Sequence, residues 1–249
     1  MSKSSQILST WFPESGAGGF TSLDGTLEFY SRINALLSPA MVVLDFGAGR
    51  GAALTDGTIA FKKNLMSLRG KVKKVIACDV DDAVLENPGA DEAVVIQPDL
   101  ALPFEDQTFD MILCDFVFEH IADPELVSRE LKRVLKPGGW LCARTPNKYC
   151  LISVATRLIR NSMHSRVLSV VQPERRSFDV FPTKFRLNTR RDIQRWFRPE
   201  VFDDFTYRYE AEPSYFFNSS LIFALMLFIN WLSPPVMKSG LFIFLRKKA

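Results

Sequence analysis

The sequence predicts an α/β fold, a doubly wound and mostly parallel sheet with helices on both faces. Three observations predict this fold. Short apolar segments alternate with helical ones along the chain, the first of them runs from Met41 to Leu44 into a glycine-rich turn, and the second ends at Asp79. Strands covered on both faces are apolar throughout, and ligands of such sheets bind where a strand gives way to a helix.

The predicted elements follow one another in the order that this fold requires. Strands are expected at about 42–46, 74–79, 94–97, 110–115, 139–145, 203–209 and 241–246, which makes a seven-stranded sheet. Helices are expected at about 24–38, 81–86, 123–135 and 189–197. Right-handed crossovers between parallel strands then bring the carboxyl ends of the strands beside one crevice.

In two stretches the sequence predicts local structure in more detail: the ends of one helix and an added segment between two strands. The helix at 123–135 begins at Asp123-Pro124, where proline suits the first helical position, and it ends before Pro137-Gly138-Gly139, which cannot continue a helix. Asp45 and Asp79 lie 34 residues apart, which is long for a single connecting helix. We therefore expect an added loop or helical turn within Thr55–Arg69.

The glycine-rich turn predicts a ligand site with a preference for positive charge. Glycines at 47, 49 and 51 allow positive φ angles and a close approach of the backbone to a ligand. Asp45 lies just before them, and a carboxylate there repels a pyrophosphate but attracts an ammonium group. Dinucleotide-binding proteins use the different spacing G-x-G-x-x-G, so an NAD site is disfavoured. Asp79 can accept hydrogen bonds from both hydroxyls of a ribose.

Four motifs of the sequence, in the order in which they occur, resemble the motifs of class I S-adenosylmethionine-dependent methyltransferases, in particular those of the small-molecule branch. The resemblance covers about residues 40–147 and is carried by 44–51 (LDFGAGRG), 102–110 (LPFEDQTFD), 115–124 (DFVFEHIADP) and 130–141 (ELKRVLKPGGWL). It implies S-adenosylmethionine as cofactor. The cofactor contacts that it implies are Asp45, Gly47, Ala48, Gly49, Gly51, Asp79, Val80, Asp99, Leu100, Asp115 and Phe116. Asp99 is the candidate for the adenine amino group, although its spacing to Leu102 is about one residue short, and an ordinary turn residue after Pro98 is the alternative.

The resemblance implies direct methyl transfer, and an oxygen acceptor must lose its proton during that step. The chain has two histidines, and His120, just after the fourth strand, is the candidate base. The alternative is a structural role for its ring. Residues expected to contact the substrate are His164, Asp179, Arg186 and Asn188. No metal site is expected, because the cysteines show no metal-ligand spacing.

A basic segment follows the fifth strand. Residues 144–198 contain 13 lysines and arginines but only three acids, in a chain whose net charge is +3. Phenylalanines at 178, 181 and 185 lie among these cations, and residues 179–189 are expected to form a lid over the site. Arginine suits phosphate and carboxylate, so an anionic acceptor is favoured over a merely solvated charged face.

The C-terminal part contains an apolar segment before the last strand. Residues 221–232 hold a single polar residue, Asn230, and they are too few to span a bilayer. Three interpretations remain open for the region 215–232: a helix buried in the core, a contact between two copies of the chain, or a helix at a membrane surface.

We interpret residues 1–249 as a single methyltransferase domain, with an N-terminal cap at 1–40, a cofactor-binding core at 41–147, a basic substrate insertion at 148–200 and C-terminal strands at 201–249. The expected location is the cytoplasm, with membrane association as an option, because the four cysteines form no disulfide framework. The predicted activity is O-methylation of a small or lipid-linked acceptor, with an anionic acceptor of a glycan or lipid pathway as one option. A cofactor-binding module without catalysis and an NAD-dependent oxidoreductase are the alternatives, and a nucleic-acid substrate ranks lower.

Overall fold

The computed structural model describes residues 3–98, 100–151, 153–154, 182–213 and 216–249. The chain divides into two compact units. The first unit comprises Met1–Gly25, Pro146–Pro182 and Arg208–Gly240, and the second comprises Thr26–Thr145, Thr183–Tyr207 and Leu241–Ala249. The second unit contains the predicted cofactor motifs.

The second unit is built on a mixed, mostly parallel sheet. Its strands are β1 (Val42–Phe46), β2 (Lys74–Asp79), β3 (Glu92–Val95), β4 (Phe109–Asp115), β5 (Leu135–Pro146), β6 (Phe202–Asp204), β7 (Tyr207–Tyr209) and β8 (Gly240–Lys247). The order in the sheet is β3-β2-β1-β4-β5-β8-β6, with β7 also paired to β8. Strands β1 to β5 pair in parallel, and β6 is antiparallel to β8. The predicted doubly wound sheet is confirmed.

One helix of this unit precedes β1, and the others lie between strands along the chain. The helices are α2 (Gly25–Leu36), α3 (Ala52–Thr55), α4 (Ala60–Met66), α5 (Pro124–Val134) and α6 (Arg190–Trp196), with a 3₁₀ turn at Asp82–Glu86. The short helix α4 lies within Thr55–Arg69, where an added loop or helical turn was expected, and α3 ends at the first residue of that stretch. Asp123 caps α5 as its position suggests, since its Oδ1 accepts the backbone N–H groups of Glu125 at 3.0 Å and Leu126 at 3.1 Å.

Two strand predictions differ from the structure. The expected strand at 203–209 is divided into β6 and β7, because the Asp204 carboxylate accepts the backbone N–H of Thr206 at 2.9 Å and turns the chain there. The sheet formed by the described residues therefore has eight strands rather than seven. β5 begins at Leu135, before the expected start, because Pro137-Gly138-Gly139 forms an irregularity inside the strand, where its pairing with β4 shifts register.

The core of the second unit lies along the sheet. Leu44, Ile112, Leu141 and Ile243, one from each of four neighbouring strands, are fully buried in one cluster. Three free cysteines, Cys78, Cys114 and Cys142, are also buried, and burial raises the pKa of each thiol above its ordinary value. They behave as small apolar side chains.

The described part of the first unit is built around two helices, α1 (Lys3–Trp11) and α7 (Ser220–Leu232), with 3₁₀ turns at Pro13–Gly16 and Pro235–Met237. Phe223 on α7 is fully buried, and its ring packs against Phe12 and Phe216 at centroid distances of 6.2 and 4.8 Å. The fourth cysteine, Cys150, is buried in this unit, and its Sγ donates to Ser153 Oγ at 3.1 Å. Within the described ranges, no helix combines the length and the apolar character needed to cross a bilayer.

Candidate active site

The glycine-rich turn after β1 adopts the backbone conformation that its glycines permit. Gly47, Gly49 and Gly51 have φ angles of +73°, +50° and +70°. A Cβ on Gly47 would lie 2.5 Å from the Val117 side chain, and one on Gly51 would lie 2.5 Å from Asn87 Oδ1. A Cβ on Gly49 would meet open space, with its nearest neighbour 4.0 Å away. Gly49 therefore presents bare backbone to a ligand.

The turn is fixed to the end of β2. The backbone N–H groups of Gly47 and Ala48 donate to Cys78 O at 2.8 and 3.2 Å. The buried Asp79 carboxylate accepts the N–H of Gly49 at 2.8 Å through Oδ2 and that of Asp81 at 3.0 Å through Oδ1. Asp79 is thus held in one orientation at the strand end.

Three carboxylates meet at the carboxyl edge of the sheet. Asp45, Asp79 and Asp115 lie at the ends of the adjacent strands β1, β2 and β4. Burial raises the pKa of Asp45 to about 7, and the charges of Asp115 and Asp79 add to the shift. A cation placed among them would relieve this repulsion, which is why the group fits a positively charged ligand.

Asp115 belongs to a network that the sequence did not reveal. It accepts hydrogen bonds from Arg144 Nη2 at 2.9 Å and from Tyr30 Oη at 2.8 Å. The Arg144 guanidinium also lies 4.7 Å from the ring centroid of Phe116, whose backbone has a φ of +56°. The register of the sheet could have suggested the ion pair, since Asp115 is the partner of Arg144 across β4 and β5.

Exposed apolar side chains lie at the other predicted cofactor positions. Val80 follows Asp79 directly, Leu100 lies in the turn after Gln97, and Phe116 follows Asp115, and all three side chains are exposed. Side chains of this kind can cover the faces of a planar base. Asp99 lies outside the described residues.

The predicted base, His120, lies in the turn after β4, and its backbone N–H donates to Val117 O at 2.9 Å. Its neighbour Glu119 is buried and accepts a hydrogen bond from Thr145 Oγ1 at 2.8 Å. Thr145 Oγ1 accepts in turn from Asn188 Nδ2 at 2.6 Å. The backbone O of Glu119 accepts the N–H of Lys184 at 2.6 Å, so this turn is tied to residues 184–188.

The predicted substrate residues are distributed unevenly. Asn188 is fully buried in the hydrogen-bonded network with Thr145, and Arg186 is on the surface, where its Nη1 donates to Ala122 O at 2.6 Å. His164 and Asp179 lie outside the described residues, whereas residues 182–189 of the predicted lid at 179–189 are described. Among the residues that the structure covers, no group of histidines, cysteines and acids is placed to hold a metal ion.

Comparison with known proteins places this site in a family. Residues 44–143 match the family model of a methyltransferase domain. Over these residues the chain is similar to a methyltransferase domain. S-adenosylmethionine is accordingly its cofactor, and the residues present fit that molecule, because bare backbone at Gly49 adjoins a cluster of acids that favours a cation.

The methyltransferase segment is similar to curated enzymes. It is 30% identical over 161 residues to the ubiquinone/menaquinone biosynthesis C-methyltransferase UbiE of Citrobacter koseri, which covers 60% of this chain and 61% of that protein. It is 33% identical over 108 residues to the UbiE of Idiomarina loihiensis, covering 40% of each chain. The chain therefore spans less than two thirds of the length of these relatives.

Solved methyltransferase structures share the fold at low sequence identity. A chain of the complex between the Haloferax volcanii Trm112 methyltransferase activator and a methyltransferase superposes with a TM-score of 0.57 at 14% identity, covering 91% of this chain and 92% of that one. A methyltransferase from Thermotoga maritima gives a TM-score of 0.53 at 14% identity, covering 99% of both chains.

Proposed function

We propose that the protein transfers the methyl group of S-adenosylmethionine to a small or lipid-linked acceptor. The observation that carries this proposal is the acidic cluster beside Gly49, in which the pKa of Asp45 rises to about 7. The cofactor supplies a methyl group made electrophilic by positively charged sulfur. The three acids Asp45, Asp79 and Asp115 outnumber the one cation that pairs with them, Arg144, so the site supports a positively charged ligand and would repel the pyrophosphate of NAD.

The residues at the strand ends would hold the cofactor in one orientation. Asp45 would attract the ammonium group of the methionine portion, and Asp79 would accept the ribose hydroxyls through lone pairs that its loop contacts leave available. Val80 and Leu100 would cover the adenine, with Asp99 at its amino group. Asp115 and Phe116 would line the same pocket from β4.

The acceptor atom proposed is oxygen, with His120 as the base. Bound S-adenosylmethionine would supply the methyl group and keep the electron pair of the methyl–sulfur bond on sulfur, and His120 would accept the proton that the acceptor oxygen loses. Alignment of acceptor and methyl supplies most of the acceleration, on the order of 7–11 kcal/mol in well-oriented systems. Transfer to carbon is the second candidate, since the relatives are named C-methyltransferases.

The positive charge of residues 144–198 supports an anionic acceptor. Residues 144–198 carry 13 lysines and arginines against three acids, which favours an acceptor with phosphate or carboxylate groups. Arg186 and Asn188 are proposed to act on the acceptor side, the first by contact and the second by fixing its segment through Thr145. His164 and Asp179 stay predicted acceptor contacts.

The test is a change at Gly49 with a control at Gly70. Both glycines have positive φ and open space at the Cβ position, so alanine imposes similar backbone strain at each. Gly49→Ala should weaken S-adenosylmethionine binding at least tenfold by calorimetry, because its methyl group fills the space next to Asp79. Gly70→Ala should bind as wild type does.

Three outcomes of this experiment would contradict the proposal. The first is a wild-type protein that binds NAD but not S-adenosylmethionine. The second is an equal loss of affinity in the two variants, which would assign the effect to strain rather than to the site. The third is tight cofactor binding with no methyl transfer to any hydroxylated, phenolic or quinol acceptor, which would favour a binding module without catalysis.

A further inference from the structure

Arg144, near the end of β5, is a buried cation at the edge of the candidate site. Its side chain is 8% exposed, whereas that of its partner Asp115 is 21% exposed, so the carboxylate is the more open of the two to a ligand. Arg144 Nε donates to Asp115 Oδ1, and Arg144 Nη2 donates to Oδ2 at 2.9 Å. A guanidinium that binds both oxygens of a carboxylate fixes the orientation of that carboxylate.

Tyr30 on α2 holds the same carboxylate from another direction. Its Oη donates to Asp115 Oδ2 at 2.8 Å, and burial raises the pKa of Tyr30 well above its ordinary value, so the hydroxyl keeps the proton that it donates. The adjacent Phe29 anchors α2 to β8, because its ring centroid lies 5.5 Å from those of both Phe242 and Phe244. Asp115 thus accepts three hydrogen bonds from described residues, and it cannot rotate without losing one of them.

Aromatic rings surround the guanidinium of Arg144. Its central carbon lies 5.3, 5.5 and 4.7 Å from the ring centroids of Phe29, Tyr30 and Phe116. Arg144 Nη1 donates to Thr26 Oγ1 at 3.0 Å, which adds a contact with α2. Rings that exclude water from an ion pair strengthen its hydrogen bonds relative to those in water. The arginine is therefore itself fixed, by α2 as well as by β4.

The strands β4 and β5 also carry a second ion pair, at the opposite edge of the sheet. Lys136 Nζ lies 2.8 Å from Asp110 Oδ1, near the amino ends of the two strands. Ligands of such sheets bind at the carboxyl ends of the strands. The pair of Lys136 and Asp110 therefore joins the strands away from the ligand crevice, whereas Asp115 and Arg144 join them beside it.

We infer that Arg144 is a positioning residue for the cofactor and that it acts through Asp115. Together with Tyr30 it holds the Asp115 carboxylate in one orientation before the cofactor binds, so binding does not have to order that side chain. This inference rests on the proposed function, because it concerns the same cofactor site. Arg144 has two opposed effects there, since its positive charge repels a cationic ligand while its hydrogen bonds prepare the carboxylate for that ligand.

Calorimetry of S-adenosylmethionine binding to the full chain tests the inference, because the two effects of Arg144 change the affinity in opposite directions. Arg144→Met removes a positive charge together with the hydrogen bonds to Asp115. If the arginine positions the carboxylate, this variant should bind about tenfold more weakly than wild type, although its site is more negative. Lys136→Met is the matched control, since it removes the ion pair at the other edge of the same strands, and it should bind as wild type does.

Two further variants test whether the effect passes through Asp115, and one of them leaves every charge in place. Tyr30→Phe removes a single hydroxyl, and it should weaken binding about threefold even if Arg144→Met fails to fold. In an Asp115→Ala background, the change Arg144→Met should cause no further loss of affinity, because no carboxylate is left to position. Urea unfolding of each variant establishes that the affinity is measured on folded protein.

Three results would overturn the inference while the proposed function stands. One is binding by Arg144→Met or Tyr30→Phe that is as tight as that of wild type, or tighter. Another is a further loss of affinity when Arg144→Met is added to Asp115→Ala, which would show that the arginine acts independently of the carboxylate. The last is an equal loss in Lys136→Met, which would assign the effect to the sheet as a whole. Wild-type protein that does not bind S-adenosylmethionine would instead overturn the proposed function, and the inference with it.

Discussion

At the scale of single residues, the ionisation of Asp45 links folding to pH. Burial is the largest cause of its raised pKa of about 7, compared with an ordinary value of 3.8. Because the folded pKa is higher than the unfolded one, the stability that protonated Asp45 contributes is complete below about pH 4. That stability is lost as the pH rises through 7, where the folded protein must carry a buried negative charge.

Asp45→Asn should therefore stabilise the ligand-free protein at about pH 8, by on the order of 1–3 kcal/mol, because it removes that buried charge. The advantage should shrink as the pH falls to about 4, where the wild-type carboxyl group is protonated. Urea unfolding across this pH range measures the effect. Asp82→Asn, at an exposed acid near the same loop, is the control. Parallel pH profiles for Asp45→Asn and wild type would show that Asp45 ionises normally.

His120 supports a prediction about rate rather than stability. If its imidazole removes the acceptor proton, His120→Ala should lower kcat by about 10²–10⁴ while cofactor affinity stays nearly unchanged. Its backbone N–H bond to Val117 O does not involve the side chain, so the turn after β4 should persist in the variant. Turnover and calorimetry on the same preparation separate the two effects, and full activity in the variant would assign the ring a structural role.

At the scale of elements, one hydroxyl joins three parts of the chain. Thr145 Oγ1, at the end of β5, donates to Glu119 in the turn after β4 and accepts from Asn188 just before α6. All three residues are buried, where an unmade hydrogen bond costs more than it does in water. Glu119, the residue before His120, is thereby joined to the end of β5 and to the residue before the N-cap of α6.

Thr145→Val should cost about 1–3 kcal/mol of stability, because the methyl group that replaces the hydroxyl can neither donate to Glu119 nor accept from Asn188. Thr108→Val is the matched control, since its hydroxyl makes an exposed bond to Glu105 O. Urea unfolding of both variants measures the difference. Equal free energies of unfolding in the two variants would mean that the hydrogen bonds of the buried network do not contribute to stability.

The sequence predicted strands best where both faces of the strand are apolar. The bounds of β1 and β2 agree with the prediction because each is an apolar run that ends at a polar or glycine-rich turn. The edge strand β3 begins and ends two residues earlier than predicted. Its Glu92 and Val95 are exposed, so it lacks the apolar pattern of a covered strand.

Some residues of the candidate site were predicted from the sequence and others were not. Asp45 and Asp79 were predicted because each lies at a strand end, which the local pattern marks, and Asp115 was predicted from the resemblance of the motif at 115–124. Tyr30 and Arg144 were missed, because they reach Asp115 only through tertiary packing, from 85 and 29 residues away along the chain. A hydrogen bond between distant segments leaves no periodic signal in the sequence. Ion pairing across parallel strands can be found only once the register is known.

At the scale of the whole molecule, the division into two units raises the question of whether they unfold together. Cys78, Cys114 and Cys142 lie on three strands of the second unit, while Cys150 lies in the first. All four thiols are buried, so each can react with an external reagent only after its surroundings open to water.

Each unit therefore contains at least one buried cysteine whose reactivity reports when that unit opens, so no added label is needed. Pulsed alkylation in rising urea, read by mass spectrometry of the four cysteine peptides, follows both at once. If residues 1–249 act as one domain, we expect the four thiols to become reactive at the same urea concentration. Alkylation of Cys150 at a lower concentration than the other three would instead show that the unit carrying α7 opens while the cofactor-binding unit stays folded.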